Sequence, residues 1–286
     1  MKNLKIGIDI GGTYTRCYLL NDANIVLAES RQATPKNYGE LVDLLVSDIS
    51  KISQGAVIEK VGIGIPGTVD SVAGTVANAV NLGIGATPFE LADLLKVKIG
   101  VPVKIFNDVS AAALGAHSLI EDEAKRQATT AYIGIGTGIG VGLLSAGVPL
   151  IGAGGTVGEY GHIRYGNRGL LCKCGQTDCL ELYCSGLALE REGALFGVPQ
   201  DEKKPAIAEF FDGLFWLLEA ICLSVDPAVI QIGGGLGIYE AQIREAIAQR
   251  SASAAALVKK LAIPDRLAFV RDSPVVAIGS VLGTNS

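Results

Sequence analysis

The segment Ile6–Ile25 reads IGIDIGGTYTRCYLLNDANI, in which two apolar runs flank the loop Asp9-Ile10-Gly11-Gly12-Thr13. A second segment, Ala131–Leu150, reads AYIGIGTGIGVGLLSAGVPL and repeats this plan around Gly136-Thr137-Gly138. Two apolar runs joined by a glycine-rich loop predict a β-hairpin. Because the hairpin recurs near the start of each half of the chain, we expect two lobes of similar topology.

The segments that follow each hairpin alternate between helix and strand patterns. Tyr38–Ile52 has apolar residues at helical spacing, and Val61–Ile65 and Val103–Phe106 are short apolar runs typical of buried strands. Further helices are expected at 110–120, 205–224, 239–249 and 275–282, and a further strand at 229–232. Strands that alternate with helices indicate an α/β protein. We place one lobe at residues 1–108 plus about 272–286 and the other at 109–271.

Composition and charge narrow the classes of partner. The 286 residues carry a net charge of −5, which argues against nucleic acid or an anionic membrane surface as a partner. Residues 127–158 are uncharged, but ten glycines and Pro149 make this segment unsuitable as a membrane-spanning helix. The first residues lack the apolar core of a signal peptide, and we expect a cytoplasmic protein.

One histidine and three cysteines have the spacing of a zinc site: His162, Cys172, Cys174 and Cys179. One imidazole and three thiolates satisfy the tetrahedral preference of a structural zinc ion. Two carboxylates, Glu159 and Glu181, flank this set, although a purely structural site would not need them. The alternative is three incidental cysteines beside a core histidine. It is disfavoured because the chain has only six cysteines and two histidines.

Three glycine-rich loops could hold a nucleotide. Asp9–Thr13 offers backbone amides and a hydroxyl for phosphate oxygens, with Asp9 placed to bind Mg²⁺, through water. Gly136–Gly138 offers a second set of donors, and Gly233-Gly234-Gly235 follows a predicted strand where a base or ribose could lie. Each loop alone could be an ordinary tight turn.

Other nucleotide-binding motifs do not fit the chain. A P-loop is excluded because no glycine is followed by lysine. Gly62–Gly67 matches the glycine spacing of a dinucleotide fingerprint, but Pro66 introduces a turn in place of the required helix. We therefore expect Gly62–Gly67 to form a substrate-facing loop.

Asn107-Asp108 falls where a predicted strand ends and a helix begins. The local sequence slightly favours Asp108 as an N-cap that accepts helix amides. The functional alternative is a general base that takes a hydroxyl proton during attack on a γ-phosphate.

Taken together, these motifs resemble those of the ROK sugar kinases, within the actin, heat-shock and hexokinase ATPase group. Asp9–Thr13 and Gly136–Gly138 resemble the two phosphate loops of that family, and Gly233–Gly235 its adenosine loop. The segment from Glu159 to Glu181 resembles its Glu-x-Gly-His and Cys-x-Cys-Gly-x-x-Gly-Cys-Leu-Glu motifs, with Asp178 in place of the last glycine. The resemblance covers nearly the whole chain. It implies a two-lobed actin-like (ribonuclease H-like) α/β ATPase fold with an active-site cleft between the lobes.

The resemblance also implies a role for each matching residue, with Asp108 as the general base. Sugar hydroxyls would be bound by Asn107, Asp108, Glu159, His162 and Glu181, with Asn81 and Gly67 as weaker candidates. ATP and Mg²⁺ would be bound by Asp9, Gly11, Gly12, Thr13, Thr137, Gly138, Gly233, Gly234 and Gly235. Structural Zn²⁺ would be bound by His162, Cys172, Cys174 and Cys179. His162 would then serve zinc with one ring nitrogen and sugar with the other.

The implied reaction is transfer of the γ-phosphate of ATP to a hexose hydroxyl, O6, with D-allose as the first expectation. Fructose, mannose, glucose and N-acetylmannosamine kinases of the same family are the alternatives, as is a catalytically silent sugar-binding or regulatory protein. We expect no nucleic-acid or membrane partner. We also expect a homodimer, although the segment 186–233 is short for the family.

Overall fold

The computed structural model describes residues 4–79, 82–153, 156–194, 204–271 and 273–285. In these ranges the strands are β1 (Leu4–Ile10), β2 (Tyr14–Leu20), β3 (Val26–Ala33), β4 (Ile58–Ile65), β5 (Thr68–Asp70), β6 (Thr75–Ala77), β7 (Val103–Asn107), β8 (Thr129–Ile135), β9 (Ile139–Ser145), β10 (Val148–Pro149), β11 (Val229–Gly233) and β12 (Leu267–Phe269). The helices are α1 (Tyr38–Ser53), α2 (Leu91–Ile99), α3 (Asp108–His117), α4 (Glu123–Arg126), α5 (Gly186–Arg191), α6 (Lys204–Val225), α7 (Glu240–Ser253), α8 (Ala256–Lys260), α9 (Ile263–Arg266) and α10 (Val275–Leu282).

The chain divides into two compact units, Met1–Leu119 with Pro274–Ser286, and Ile120–Ser273. We expected the division at residue 108, so the two divisions differ by the length of α3. Helix α3 stays with the first unit because it packs closely on α10. A Cβ on Gly279 would lie 1.7 Å from the Ala111 carbonyl oxygen, an approach that only glycine permits.

The first unit is built on a five-stranded sheet with the order β3-β2-β1-β4-β7. β1 and β2 form the predicted antiparallel hairpin, whereas β4 and β7 extend the sheet in parallel to β1. Asp9 is level with Gly64, and Gly64 with Phe106, so the carboxyl ends of β1, β4 and β7 share one edge of the sheet. This edge holds the predicted carboxylates Asp9 and Asp108.

The second unit repeats this arrangement with the order β10-β9-β8-β11-β12. β8 pairs antiparallel with β9 and parallel with β11, and β11 pairs parallel with β12. The predicted similarity of the two halves is therefore confirmed at the level of sheet topology. The apolar face of α6, which includes Phe210, Leu214 and Leu217, is buried in the core of this unit.

The glycine-rich segments 127–158 and Gly62–Gly67 both contain β-strands. The uncharged segment 127–158 contains β8, β9 and β10, and among the described residues no helix combines the length and apolar character needed to cross a membrane. The expectation that Gly62–Gly67 forms a substrate-facing loop is wrong for most of its length, because Gly62 and Gly64 lie within β4. A Cβ on Gly62 would lie 2.4 Å from the Ser280 carbonyl oxygen of α10, so the glycine serves packing.

Candidate active site

The first phosphate loop is closed by its own hydrogen bonds. The Gly11 amide donates to the Tyr14 carbonyl oxygen at 2.9 Å, and the Thr34 hydroxyl donates to the Gly11 carbonyl oxygen at 2.8 Å. The Gly11 amide is therefore occupied, contrary to the expectation of free donors across the loop, because it completes the turn between β1 and β2. Within the described residues, the amides of Gly12 and Thr13 have no such bond and can donate to an anion.

Two residues of this loop's surroundings were missed by the sequence analysis. Thr34 is buried and its hydroxyl lies 3.1 Å from that of Thr15, while Lys36 Nζ donates to the Gly12 carbonyl oxygen. Lys36 places an ammonium group beside the loop, where it can assist phosphate binding. Both residues follow β3, and it is the pairing of Tyr14 with Ala33 that brings them to the loop. No local motif signals a contact that arises from strand register.

Asp9 and Asp108 influence each other electrostatically at the carboxyl edge of the first sheet. Burial raises the pKa of Asp9 to about 6, and the negative charge of Asp108 adds to this increase. Arg16, whose Nη1 atom lies 3.6 Å from Asp9 Oδ2, opposes the increase. A pair of nearby carboxylates with a phosphate loop between β1 and β2 can hold a divalent cation and accept a proton.

Asn107, and not Asp108, is the N-cap of α3. Asn107 Oδ1 accepts from the amides of Val109 and Ser110 at 3.0 and 3.2 Å. Its Nδ2 donates to the Gly67 carbonyl oxygen at 3.2 Å, which fastens the turn after β4 to the end of β7. Asp108 is the first residue of α3, and its Oδ1 also accepts from the Val109 amide at 2.9 Å, so it shares this amide with the N-cap Asn107.

The two remaining weaker sugar candidates have different outcomes. Gly67 has φ 110°, and a Cβ there would lie 2.6 Å from the Ala77 carbonyl oxygen, so this position requires glycine. Its carbonyl is the group held by Asn107. Asn81 lies outside the described residues.

The second phosphate loop and the adenosine loop meet at one edge of the second sheet. The Gly136 amide donates to the Gly138 carbonyl oxygen at 3.0 Å, and the Gly136 carbonyl accepts from the Gly186 amide at 2.7 Å. Gly234 has φ 80°, and a Cβ there would lie 2.6 Å from the Ile135 carbonyl oxygen. The bare backbone thus lets the loop after β11 cross the end of β8.

Of the other two glycines in the adenosine loop, one is buried in a strand and one faces open space. Gly233 ends β11 and is buried beside the Tyr132 hydroxyl, so it belongs to the strand and not to an open loop. Gly235 faces open space, with no atom within 4 Å of a Cβ at that position. The Thr137 carbonyl accepts from the Leu187 amide at 3.2 Å, which ties the second phosphate loop to α5.

The four predicted zinc ligands lie together in the second unit. One donor atom from each of His162, Cys172, Cys174 and Cys179 is within 4.8 Å of every other. Cys174 Sγ lies 3.5 Å from Cys179 Sγ, and Cys172 Sγ lies 3.6 Å from His162 Nδ1. Four ligands arranged tetrahedrally at about 2.3 Å from zinc are separated by about 3.8 Å. The donor set and its spacing therefore fit a structural zinc ion.

The protonation of the thiols is consistent with a cation site. Burial raises the pKa of Cys172 and of Cys179, whereas the backbone amide of Gln176 lowers the pKa of Cys174. A bound divalent cation deprotonates thiols that would otherwise keep their protons. The site thus supplies the donor types that zinc selects but relies on the ion to make them all thiolates.

The three predicted sugar-binding side chains of this unit converge on the same cluster. His162 Nε2 lies 3.8 Å from Glu159 Oε2, and His162 Nδ1 lies 3.7 Å from Glu181 Oε1. Nδ1 also faces Cys172, so the imidazole presents Nδ1 to the thiols and Nε2 to the exposed Glu159. Glu181 Oε2 would lie 3.0 Å from a Cβ on Gly138, which places this carboxylate against the second phosphate loop.

Asp178, the departure from the family motif, has a left-handed backbone with φ 59°. Its side chain is buried and accepts from the Tyr183 hydroxyl and from the amides of Gly169 and Leu170. The Tyr183 hydroxyl and these backbone amides hold the pKa of Asp178 below its usual value. Aspartate tolerates this left-handed conformation better than most residues.

Comparison with known proteins agrees with these motifs. The model of the ROK family matches residues 5–271. A glucokinase from Streptomyces coelicolor is 35% identical over 188 residues, which cover 66% of this chain and 58% of the relative, so the chain spans less than two thirds of that relative's length. An N-acetyl-D-glucosamine kinase from Vibrio atlanticus is 33% identical over 264 residues, covering 82% of this chain and 85% of the relative.

A solved structure supports the same assignment at the level of fold. The ROK family glucokinase from Streptomyces griseus, in complex with glucose and AMPPNP, matches with a TM-score of 0.76 and 25% identity. The match covers 97% of this chain and 98% of that one. The repeated sheet order therefore corresponds to the predicted actin-like ATPase fold. Because the family model spans all but the ends of the chain, this protein belongs to the ROK family.

Proposed function

We propose that this protein is an ATP-dependent hexose kinase that transfers the γ-phosphate of ATP to a sugar hydroxyl. The observation that carries the proposal is the pair of interacting carboxylates Asp9 and Asp108, which lies beside the first phosphate loop at the carboxyl edge of the sheet. Glycine-rich loops in both units and a cluster of polar side chains around His162 supply the remaining chemistry.

Each residue has a role in this reaction. The Asp108 carboxylate accepts the proton of the sugar hydroxyl while the hydroxyl oxygen of the sugar forms a bond to the γ-phosphorus. The bond between the γ-phosphorus and the β–γ bridging oxygen breaks, and ADP is released. Amides of Gly12, Thr13, Thr137 and Gly138 bind phosphate oxygens, and Gly234 and Gly235 bind the adenosine. Mg²⁺, placed near Asp9, supplies charge neutralisation for the phosphates.

Sugar recognition is assigned to polar side chains of both units. Asn107 and Asp108 contribute from the first unit, and Glu159, His162 and Glu181 from the second. The Cys172, Cys174 and Cys179 thiolates with His162 Nδ1 would hold zinc, which keeps the segment bearing Glu181 in place. Because Asn107 Oδ1 already accepts two helix amides, its contribution to sugar binding is limited to the remaining hydrogen of Nδ2.

The proposal also concerns which hexose is the substrate. D-allose phosphorylated at O6 is the expectation from the sequence, while the relatives are named as kinases of glucose and N-acetyl-D-glucosamine. Discrimination among hexoses depends on a few hydroxyl contacts. All three sugars therefore belong in one test.

The test is ADP release from Mg-ATP, coupled to a spectrophotometric readout, with allose, glucose, fructose, mannose, N-acetylglucosamine and N-acetylmannosamine. The 6-deoxy form of the best substrate is the matched control for transfer to O6. Sugar-dependent ADP release that disappears with the 6-deoxy sugar supports the proposal. Sugar binding without ADP release, in protein that contains zinc, contradicts it and favours the catalytically silent or regulatory alternative.

We further propose a cytoplasmic location and a homodimer. All six cysteines are free, which suits a reducing compartment. Fractionation of cells tests the location, and sedimentation equilibrium of the purified protein tests the dimer.

A further inference from the structure

The segment from Arg164 to Cys179 forms a closed loop in the second unit. Two isolated β-bridges close it, one between Arg164 and Cys179 and the other between Leu171 and Thr177. Cys172 and Cys174 lie within this thiol loop, and Cys179 ends it. The relative positions of the three thiols therefore depend on the shape of the loop.

Asp178 makes more hydrogen bonds to the thiol loop than a glycine there could make. Its carboxylate accepts from the Gly169 amide at 3.0 Å and from the Leu170 amide at 2.9 Å. It also accepts from the Tyr183 hydroxyl. The Asp178 carbonyl accepts from the Tyr165 amide at 2.8 Å, and its amide donates to the Leu170 carbonyl at 2.8 Å. The side chain thus adds three bonds to those of the backbone.

Tyr183 connects the thiol loop to the segment that carries Glu181. A Cβ on Gly166 would lie 2.0 Å from Tyr183 Cζ, so the tyrosine ring packs directly on bare backbone of the loop. The Tyr183 hydroxyl accepts from the Arg168 amide at 3.2 Å while it donates to Asp178. Because Tyr183 follows the 3-10 turn Leu180–Leu182, a shift of the loop displaces Glu181.

The backbone at residue 178 favours glycine, yet this chain has aspartate. A residue with φ 59° is strained for most side chains, and glycine would adopt it at lower cost. Glycine would also leave the Gly169 and Leu170 amides and the Tyr183 hydroxyl without their acceptor. The buried carboxylate compensates for the backbone strain through these three contacts.

We propose that Asp178 is a positioning residue, which holds the thiol loop in its metal-binding shape and thereby fixes Glu181 for the sugar. The inference rests on the proposed zinc site and on the proposed kinase function. In this chain the shape of the loop is set by hydrogen bonds of Asp178 as well as by the metal ion. Zinc is consequently released more slowly than from a loop with glycine at this position.

The test compares Asp178→Gly and Asp178→Asn with the wild-type holoprotein. Transfer of zinc to a chromophoric chelator is followed without sugar or ATP, together with hydrogen exchange of the amides in 165–172. We expect about tenfold faster zinc transfer and faster exchange in Asp178→Gly, in line with residues that support metal ligands. Asp178→Asn, which keeps the size of the side chain but offers one acceptor oxygen, changes both in the same direction.

Asp226→Gly is the matched control. Asp226 also has a left-handed backbone, with φ 44°, and lies in the same unit, but its carboxylate pairs with Arg266 at 2.6 Å. We expect wild-type zinc transfer in this variant. In turnover assays, Asp178→Gly raises the KM for sugar while the KM for ATP stays at the wild-type value.

The outcomes separate this inference from the kinase proposal. Faster zinc transfer and exchange in both Asp178 variants, with Asp226→Gly unchanged, support the inference even if no sugar is phosphorylated, in which case only the kinase proposal fails. Wild-type zinc transfer and exchange in both Asp178 variants overturn it. Wild-type protein that binds no zinc overturns it together with the metal assignment.

Discussion

Asp108 and Asp9 are the residues on which the proposed chemistry of the first unit depends. Both lie at the carboxyl edge of the sheet, and the charge of Asp108 makes ionisation of Asp9 less favourable. Asn107 is the N-cap of α3, and Asp108 accepts only the Val109 amide, which it shares with Asn107. Local structure accounts for Asn107, and the proposed phosphoryl transfer gives a role to the pair Asp9 and Asp108.

Asp108→Asn is expected to remove turnover while sugar binding survives. The substitution keeps the shape of the side chain but removes the proton acceptor, and a general base contributes about 100-fold or more to the rate. The measurement is kcat with Mg-ATP, paired with sugar affinity by calorimetry. Asp93→Asn is the control, because Asp93 is also an aspartate in the first turn of a helix but is exposed. Retained turnover in Asp108→Asn would show that Asp108 is not the general base.

Asp9→Asn is expected to raise the melting temperature at neutral pH. The pKa of Asp9 is raised from 3.8 to about 6 in the folded protein, so the folded state binds this proton more tightly than the unfolded chain. The ionised group therefore lowers stability as pH rises from about 4 to about 6, and the loss persists above that range. Asparagine has no such ionisation.

Thermal melts of wild type and Asp9→Asn across pH check this expectation. The difference should be greatest above about pH 6 and vanish below about pH 4. Asp22→Asn, at an exposed turn, is the control for removal of a carboxylate. A difference that grows as the pH falls would contradict the assigned cause.

Secondary-structure elements set the geometry of the predicted phosphate loops and of the proposed base. The hairpins β1–β2 and β8–β9 contain the two predicted phosphate loops, and α3 begins at the proposed base. The thiol loop, in contrast, has little regular structure and depends on side-chain contacts and metal ligands. We therefore expect a substitution in the thiol loop to affect metal binding, and a substitution between packed helices to affect the stability of the unit.

Cys174→Ala is expected to reduce the zinc content and to weaken sugar binding before ATP binding. Loss of one of four ligands lowers metal affinity, and the released thiol loop is followed directly by the turn that carries Glu181, whereas the adenosine loop lies elsewhere in the chain. Metal analysis and separate titrations with sugar and with a nucleotide analogue measure the two effects. Cys222→Ala removes a buried thiol of α6 as the control. Unchanged zinc and unchanged sugar affinity would disprove the metal assignment.

Gly279→Ala is expected to destabilise the first unit and to lower kcat. The new Cβ would lie 1.7 Å from the Ala111 carbonyl oxygen, so α10 and α3 must separate, which costs about 1–3 kcal/mol. Since Asp108 begins α3, the separation displaces the base. Gly85→Ala is the control, because no atom lies within 4 Å of a Cβ at that position. Chemical denaturation and kcat are the measurements, and wild-type values of both would contradict the packing argument.

The whole molecule combines a discontinuous unit with a continuous one. The first unit comprises Pro274–Ser286 in addition to Met1–Leu119, whereas Ile120–Ser273 is a single stretch that contains the proposed zinc ligands. Three buried side chains of α10 belong to the core of the first unit: Val275, Ile278 and Val281. Each such side chain contributes roughly 1.5–3 kcal/mol to the free energy of unfolding when it is fully buried.

Deletion of residues 274–286 is therefore expected to unfold the first unit while the second keeps its zinc. Limited proteolysis with mass spectrometry should show cleavage within residues 1–119 and protection of 120–273, and metal analysis should show retained zinc. Deletion of 284–286 alone, which leaves α10 intact, is the control. Protection of residues 1–119 in the longer deletion would show that α10 is dispensable.

Patterns that are local in the chain were readable before the structure was known. Hydrophobic runs around Asp9–Thr13 and Gly136–Gly138 predict the repeated hairpins, because strand pairing across a short loop involves neighbouring residues. The spacing of His162 and the three cysteines likewise predicts one cluster. In contrast, the interpretation of Gly62–Gly67 was wrong for most of its length, since Gly62 and Gly64 pack against α10, more than 200 residues later in the chain.

Contacts between distant segments could be found only in the folded protein. The pairing register of β2 and β3 places Lys36 beside the first phosphate loop. Close contacts of Gly279 on α10 hold α3 in the first unit. Asn107 is the N-cap of α3 because of the φ and ψ angles at the end of β7. The sequence is sufficient for the repeated α/β plan and for the ligand set, because these follow from short-range periodicity and spacing. Amide occupancy, the pKa of Asp9 and the hydrogen bonds of Asp178 depend on burial and on partners far along the chain, and so they follow from tertiary packing.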